Sequence, residues 1–144
     1  MNSTETSKDV IRNYVDALRT QDGGPLERFF AADATWTLIG DLPISGTWRG
    51  HQGILGDFLG TAFVRLAPET LDLAVLDLIG EGEKVVLEWT SKARLRDGDG
   101  WYDQHCLAVF TVRDALITSV REYFDTEHAR QTLFNDRTPA AARN

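Results

Sequence analysis

Around Pro68 the chain changes its period, and that switch limits the possible folds more than any other feature of the sequence. Before it, apolar residues recur at helical spacing. Beyond it come long strand-patterned segments parted by turn signals at Gly80-Glu81-Gly82, Asp97-Gly98-Asp99-Gly100 and Arg113-Asp114-Ala115. Helices first and hairpin-linked strands afterwards make an α+β domain.

The first helix is expected from about Ser7 to Gln21, with Val10, Ile11, Tyr14, Val15 and Leu18 on one stripe. Thr6 and Asp9 form a capping-box-like start, and Gly23-Gly24 supplies the stop. Pro25 suits the first turn of a short second helix carrying Leu26, Phe29 and Phe30. A strand follows over Thr35 to Ile39. Gly40 to Gly50 has neither period and reads as a loop. A third helix runs from His51 to about Leu66, its apolar stripe including Ile54, Leu55, Phe58 and Phe63, although Gly53, Gly56 and Gly60 each weaken it by roughly 1 kcal/mol. Four strands follow at about 69–79, 84–96, 101–112 and 116–125, then a short helix over Thr126 to Phe134. Residues 1–134 make one domain, and the polar tail 135–144 is expected to be mobile.

Strand side chains alternate between faces. In the second of the four strands, Val85, Leu87, Trp89, Ser91, Ala93 and Leu95 form the inward row, against Glu88, Lys92, Arg94 and Arg96. In the third, Tyr102, Gln104, Cys106, Ala108, Phe110 and Val112 alternate with a row that is itself partly apolar. A second copy of the chain covering the outer face, in a homodimer, accounts for that. In the last strand Val120, Glu122 and Phe124 share a row, so an acid stands among apolar neighbours. A three-residue turn at 113–115 would set Cys106 opposite Glu122 and leave Gln104 diagonal to it. The wide turn at 96–101 would set Trp89 against Ala108 and Ser91 against Cys106.

Twenty-two acids against fifteen bases give a net charge of -7, which disfavours nucleic acid and anionic membrane surfaces as partners. The N-terminus is polar and lacks a secretory h-region, so a cytoplasmic location is expected. Cys106 is the single cysteine, which rules out an intramolecular disulfide and a multi-cysteine zinc site. His51 and His128 have no metal-ligand spacing, and Asp97-x-Asp99 lacks the glutamate that closes a calcium loop. The glycines at 53–60 lie within a helix and form no phosphate loop.

Several segments together resemble the nuclear transport factor 2-like superfamily, in its SnoaL-like and ketosteroid isomerase-related branch. They are Tyr14-Val15-Asp16-Ala17-Leu18, Phe30-Ala31-Ala32-Asp33-Ala34-Thr35-Trp36, Gly46-Thr47-Trp48-Arg49-Gly50, Val86-Leu87-Glu88-Trp89, Tyr102-Asp103-Gln104 and Val120-Arg121-Glu122-Tyr123-Phe124-Asp125. The resemblance implies a cone-shaped α+β barrel. Three N-terminal helices pack over a strongly curved, mixed but mainly antiparallel sheet, and a short C-terminal helix follows. It also implies a cofactor-free pocket for a small hydrophobic molecule. Fold alone does not choose the reaction. Against the ketosteroid isomerase pattern, Tyr14 matches the tyrosine donor, but the base falls on Leu38 and the acidic donor on or near Ala108. Against limonene epoxide hydrolase, Glu122 matches one carboxylate, while Trp89 and Ser91 stand where the arginine and second acid would be. Against SnoaL-like cyclases, Glu122 matches the acid/base aspartate.

A carboxyl among Val120, Phe124, Cys106 and Trp36 should have a raised pKa, suited to general acid/base work. Glu122 is therefore the expected catalytic group, with polarisation from Tyr14 or Gln104. Its alternative is a structural acid satisfied by Gln104 or by an arginine. Trp36, Leu38, Phe58, Trp89, Ser91, Cys106, Val120 and Phe124 are the expected substrate-binding walls, where the alternative is plain core. His105, on the opposite row, is expected at the surface or an interface. An isomerase or polyketide cyclase is the leading expectation. The alternatives are an epoxide hydrolase-like enzyme and a ligand-binding protein without turnover.

Overall fold

The computed structural model describes residues 3–20, 24–98 and 100–135. Its first helix, α1 (Ser3–Thr20), starts four residues before the expected Ser7, so Thr6 and Asp9 lie inside it. The expected stop at Gly23 lies outside the described residues. Ile11, Tyr14, Val15 and Ala17 are buried on one side of α1, as the stripe requires. Both ends of α1 are tied to the sheet. The Thr4 hydroxyl accepts from the Gly82 N–H at 2.9 Å, and the Arg19 Nε donates to the Leu73 carbonyl at 3.2 Å.

The second helix is only one 3₁₀ turn (Leu26–Phe29), and Phe30 already belongs to β1 (Phe30–Leu38). β1 thus begins five residues before the expected Thr35. The stretch read as loop holds a short strand, β2 (Gly46–Arg49), paired antiparallel with β1. Four residues, the first of them Gly46 and the next residue Gly50, are too few to show a period. The third helix is π-wound over Gln52–Leu59 and closes as α2 (Gly60–Phe63), short of Leu66. Wide turns of this kind are rare. After a 3₁₀ turn at Pro68–Thr70 come β3 (Asp72–Glu81), β4 (Lys84–Arg94), β5 (Trp101–Arg113), β6 (Leu116–Phe124) and α3 (Thr126–Thr132). The expected tail, from 136 onward, lies outside the described residues.

Among the described residues, one six-stranded sheet runs in the order β2-β1-β6-β5-β4-β3. Only β1 and β6 are parallel; the other neighbours are antiparallel. Bulges in β3, between Val75 and Asp77, and in β6, opposite Thr111 and Val112, bend the sheet around its apolar face. The result is the expected cone-shaped α+β fold, with helices over a curved, mixed sheet and a short C-terminal helix.

The facing of β4 and β5 is as the alternation predicts, with Val85, Leu87, Ser91 and Ala93 buried beside Tyr102, Gln104, Cys106, Ala108 and Phe110. The registers differ from expectation. The β5–β6 turn has two residues, Asp114 and Ala115, both at positive φ (53° and 63°), and joins Arg113 to Leu116. This is the hairpin geometry that follows strand twist, here without the usual glycine or asparagine. The bulge at Thr118 then moves the pairing again. Glu122 lies opposite Ala108, and Cys106 lies opposite Phe124. The bulge also places Ile117 in the core. Across β4 and β5, Trp89 faces Cys106 and Ser91 faces Gln104, two residues from the expected pairing and so on the same face.

Candidate active site

β6 carries Glu122 into the concave face of the sheet, where the residue is 6% exposed. Parallel pairing sets Leu38 beside Glu122 and Trp36 beside Val120. Trp36 thus stands one pleat away on the same face as the acid. Its indole N–H donates to Glu122 Oε1 at 3.1 Å, across 86 positions of sequence. The indole ring is fixed between Phe58, at 5.4 Å between centroids, and Phe110, at 6.1 Å. One carboxylate oxygen is therefore held by a neutral donor.

Neither partner foreseen for the acid supplies that contact. No arginine pairs with Glu122 among the described residues, and Gln104 is engaged elsewhere. The Gln104 Nε2 donates to the Asp125 carbonyl at 2.9 Å, and its Oε1 accepts from the Asp125 N–H at 3.0 Å and from the His105 N–H at 3.2 Å. It clasps the chain where β6 hands over to α3. Asp125 caps that helix by accepting from the His128 N–H at 3.1 Å.

Burial disfavours the charged form of Glu122 and raises its pKa to about 7, with the Trp36 hydrogen bond pulling partly the other way. At neutral pH such a group is divided between acid and base forms, which suits proton transfer in either direction. Tyr14 is buried, and its phenol is pushed up first by burial and then by the negative charge of Glu122. It stays a protonated donor. Its ring meets Phe30 edge-on at 5.3 Å and Phe110 at 6.3 Å. Burial, and then Glu122, also raise the Cys106 thiol, which removes it as a thiolate nucleophile.

A cavity of about 80 Å³ opens beside these groups. Of the residues expected at the site, Glu122, Tyr14, Trp36, Phe58, Trp89, Ser91, Cys106 and Phe124 line it. Leu38 and Val120 are buried next to Glu122 but lie behind the lining, and Gln104 is also outside it. The sequence reading missed Ile44, Leu73, Tyr102 and Leu133 as walls. Tyr102 had a visible signal, since it shares the inward row of β5. Its phenol is raised by burial, by Cys106 and by Glu122, and its ring stacks on His128 at 5.6 Å. Leu133 had none, because α3 folds back from beyond the sheet.

His105 points outward and meets Glu88 at 2.6 Å, as its row predicts. Among the described residues, no three metal-ligating side chains gather at one place. No helix among them is long and apolar enough to cross a membrane.

The profile of the SnoaL-like domain family matches residues 11–120. No curated protein matches the chain. Among solved structures, Bal32a from a soil-derived mobile gene cassette superposes with a TM-score of 0.80 at 22% identity, covering 92% of this chain and 99% of that one. A candidate SnoaL-like polyketide cyclase from Jannaschia sp. CCS1 gives 0.77 at 16% identity, over 92% and 94%. TerC, co-crystallised with polyporic acid, gives 0.74 at 23% identity, over 90% and 98%. At these identities the likeness is one of fold.

Proposed function

The chain belongs to the SnoaL-like domain family, and from that premise we propose a cofactor-independent enzyme that moves a proton on a hydrophobic, carbonyl-bearing metabolite through Glu122. The observation that carries this reading is a carboxyl buried in an apolar cavity, with the neutral Trp36 donor on one oxygen and, among the described residues, no cation beside it. The other oxygen is the one that reacts. Ionised Glu122 takes a proton from the carbon next to the carbonyl. The C–H electron pair passes into the enolate, whose oxygen Tyr14 stabilises by a hydrogen bond. Where a C=C bond lies at the β,γ position, the extended dienolate takes the proton back at its γ carbon, the double bond moves into conjugation, and an isomerisation is complete. Attack of the enolate carbon on a second carbonyl, with the proton delivered to the new alkoxide, completes a cyclisation. Epoxide opening fits less well, because Trp89 and Ser91 leave the leaving oxygen without the cation and second acid of that chemistry.

The test is deuterium uptake from D₂O into a panel of hydrophobic ketones, read by mass spectrometry. Exchange catalysed by the native protein and lost in Glu122→Gln supports the reading. Exchange equal in both proteins removes Glu122 from it, and bound but unexchanged ketone favours a ligand-binding protein. The proposal keeps a second copy of the chain on the outer sheet face, where Trp101 and Tyr123 are exposed and Leu107 and Val109 are half-buried. Light scattering on the purified chain tests it, and a monomer at high concentration contradicts it.

A further inference from the structure

Next to the catalytic hollow lies a second one of about 330 Å³, walled by Ala17, Leu18, Leu26, Phe63, Leu66 and Leu71. Leu18, Phe63 and Leu66 line both spaces, so three apolar side chains form the partition. The two spaces have complementary deficits. The inner one, of about 80 Å³, has the acid and the phenol but little room, since it is well below the roughly 150 Å³ of a cavity that takes up benzene. The outer one has room, and among the described residues its walls carry no charged side chain and no side-chain hydrogen-bonding group. A peptide would leave its backbone amides unsatisfied there.

A third hollow, of about 410 Å³, adjoins the inner cavity at Val15, Val75 and Leu87, on the other flank of α1. It is rimmed by Arg12, Asp16 and Arg19. Arg12 pairs with Asp9 at 2.7 Å and Arg19 with Asp16 at 3.3 Å, so these charges already have partners. A hydrocarbon there would strip water from those ion pairs, whereas the described walls of the second hollow are apolar.

Resting on the function proposed above, we propose that the two apolar hollows form one binding site for a slender, extended molecule, its carbonyl head at Glu122 and its hydrocarbon body passing Leu18, Phe63 and Leu66 into the outer hollow. The inner hollow excludes a bulky fused-ring head, and the outer one sets the length of chain accepted. Specificity for length then resides in Leu26 and Leu71, away from the reacting atoms.

Calorimetric titration of the full chain with unbranched 2-ketones, from hexan-2-one to dodecan-2-one, tests this. Affinity should rise about fourfold per added methylene, the value expected for hydrocarbon leaving water, until the outer hollow is full. Leu71→Trp should end the rise at a shorter ketone than in the native chain, with Leu26→Trp as the substitute should the first variant fail to fold. Leu78→Trp, in the third hollow, should leave the whole series unchanged. Affinity independent of length, absence of ketone binding, or a series cut short by Leu78→Trp instead of Leu71→Trp overturns the proposal. The same series in Glu122→Gln separates it from the catalytic reading, because length dependence persists there even where Glu122 proves to have no role in turnover.

Discussion

Glu122 on β6 and Glu88 on β4 are the same residue type on one sheet, each in contact with an aromatic N–H group, yet they face opposite ways. Glu88 lies on the outer face, its side chain 35% exposed and 2.6 Å from His105, whose side chain is 60% exposed. Water solvates both partners, so the pair adds at most about 1 kcal/mol. Glu122 has the indole of Trp36 instead, a donor that carries no charge, and almost no water. The sheet face, and not the residue type, decides that Glu122 is cut off from water while Glu88 is solvated. Removing each in turn is the way to break the comparison.

The largest effect belongs to Glu122→Gln, expected to lower kcat by about 10²–10⁴ in the exchange assay, as for loss of a general base. The same variant reports on stability with a definite sign. A carboxyl whose pKa is about 7 when folded, above its unfolded value, binds more protons in the native state between those two limits. Its stabilising contribution is complete below the unfolded pKa and is lost as pH rises through the folded one. Glu122→Gln should therefore be more stable than the native chain at pH 9, by on the order of 3 kcal/mol, and close to it at pH 4, as read by urea denaturation. Tyr14→Phe should cost about 10² in kcat, the loss of one oxyanion donor, with substrate binding largely kept.

Trp36→Phe sharpens the comparison in another way. It removes the hydrogen bond that lowers the Glu122 pKa, so the pH at which kcat/KM rises should move upward. Gln104→Ala tests the reassignment of that residue. It should cost about 1–3 kcal/mol of stability by orphaning the Asp125 backbone groups, with exchange per folded molecule unchanged. Smallest of all is Glu88→Gln, expected to alter both activity and stability by less than about 0.5 kcal/mol.

Period-two alternation was enough to place Glu122, Trp89, Ser91 and Cys106 on the concave face, because a register error of two residues leaves every side chain on the same side. Trp36 was expected among the neighbours of Glu122, but its role as the hydrogen-bond donor was not legible. Trp36 reaches the acid only through the parallel pairing of β1 with β6, and no local pattern encodes a contact spanning 86 residues. The position of Gln104 was lost through the β5–β6 turn. Asp114-Ala115 adopts two positive φ angles without a glycine to announce them, and the extra residue at Thr118 has no compositional mark. The short β2 escaped for want of length; the helix after it was legible from its apolar stripe, but its π winding was not. What alternation alone determines was readable; what depends on long-range pairing or on unannounced turns was not.

The most direct measurement is a carbon-13 NMR titration of the Glu122 carboxyl, assigned by its disappearance in Glu122→Gln. A midpoint near 7 is what a buried acid held by one indole N–H requires. A midpoint close to that of an ordinary solvated glutamate, about 4.3, would mean that the group is hydrated or paired with a cation, and the proton-transfer site described for it would not exist.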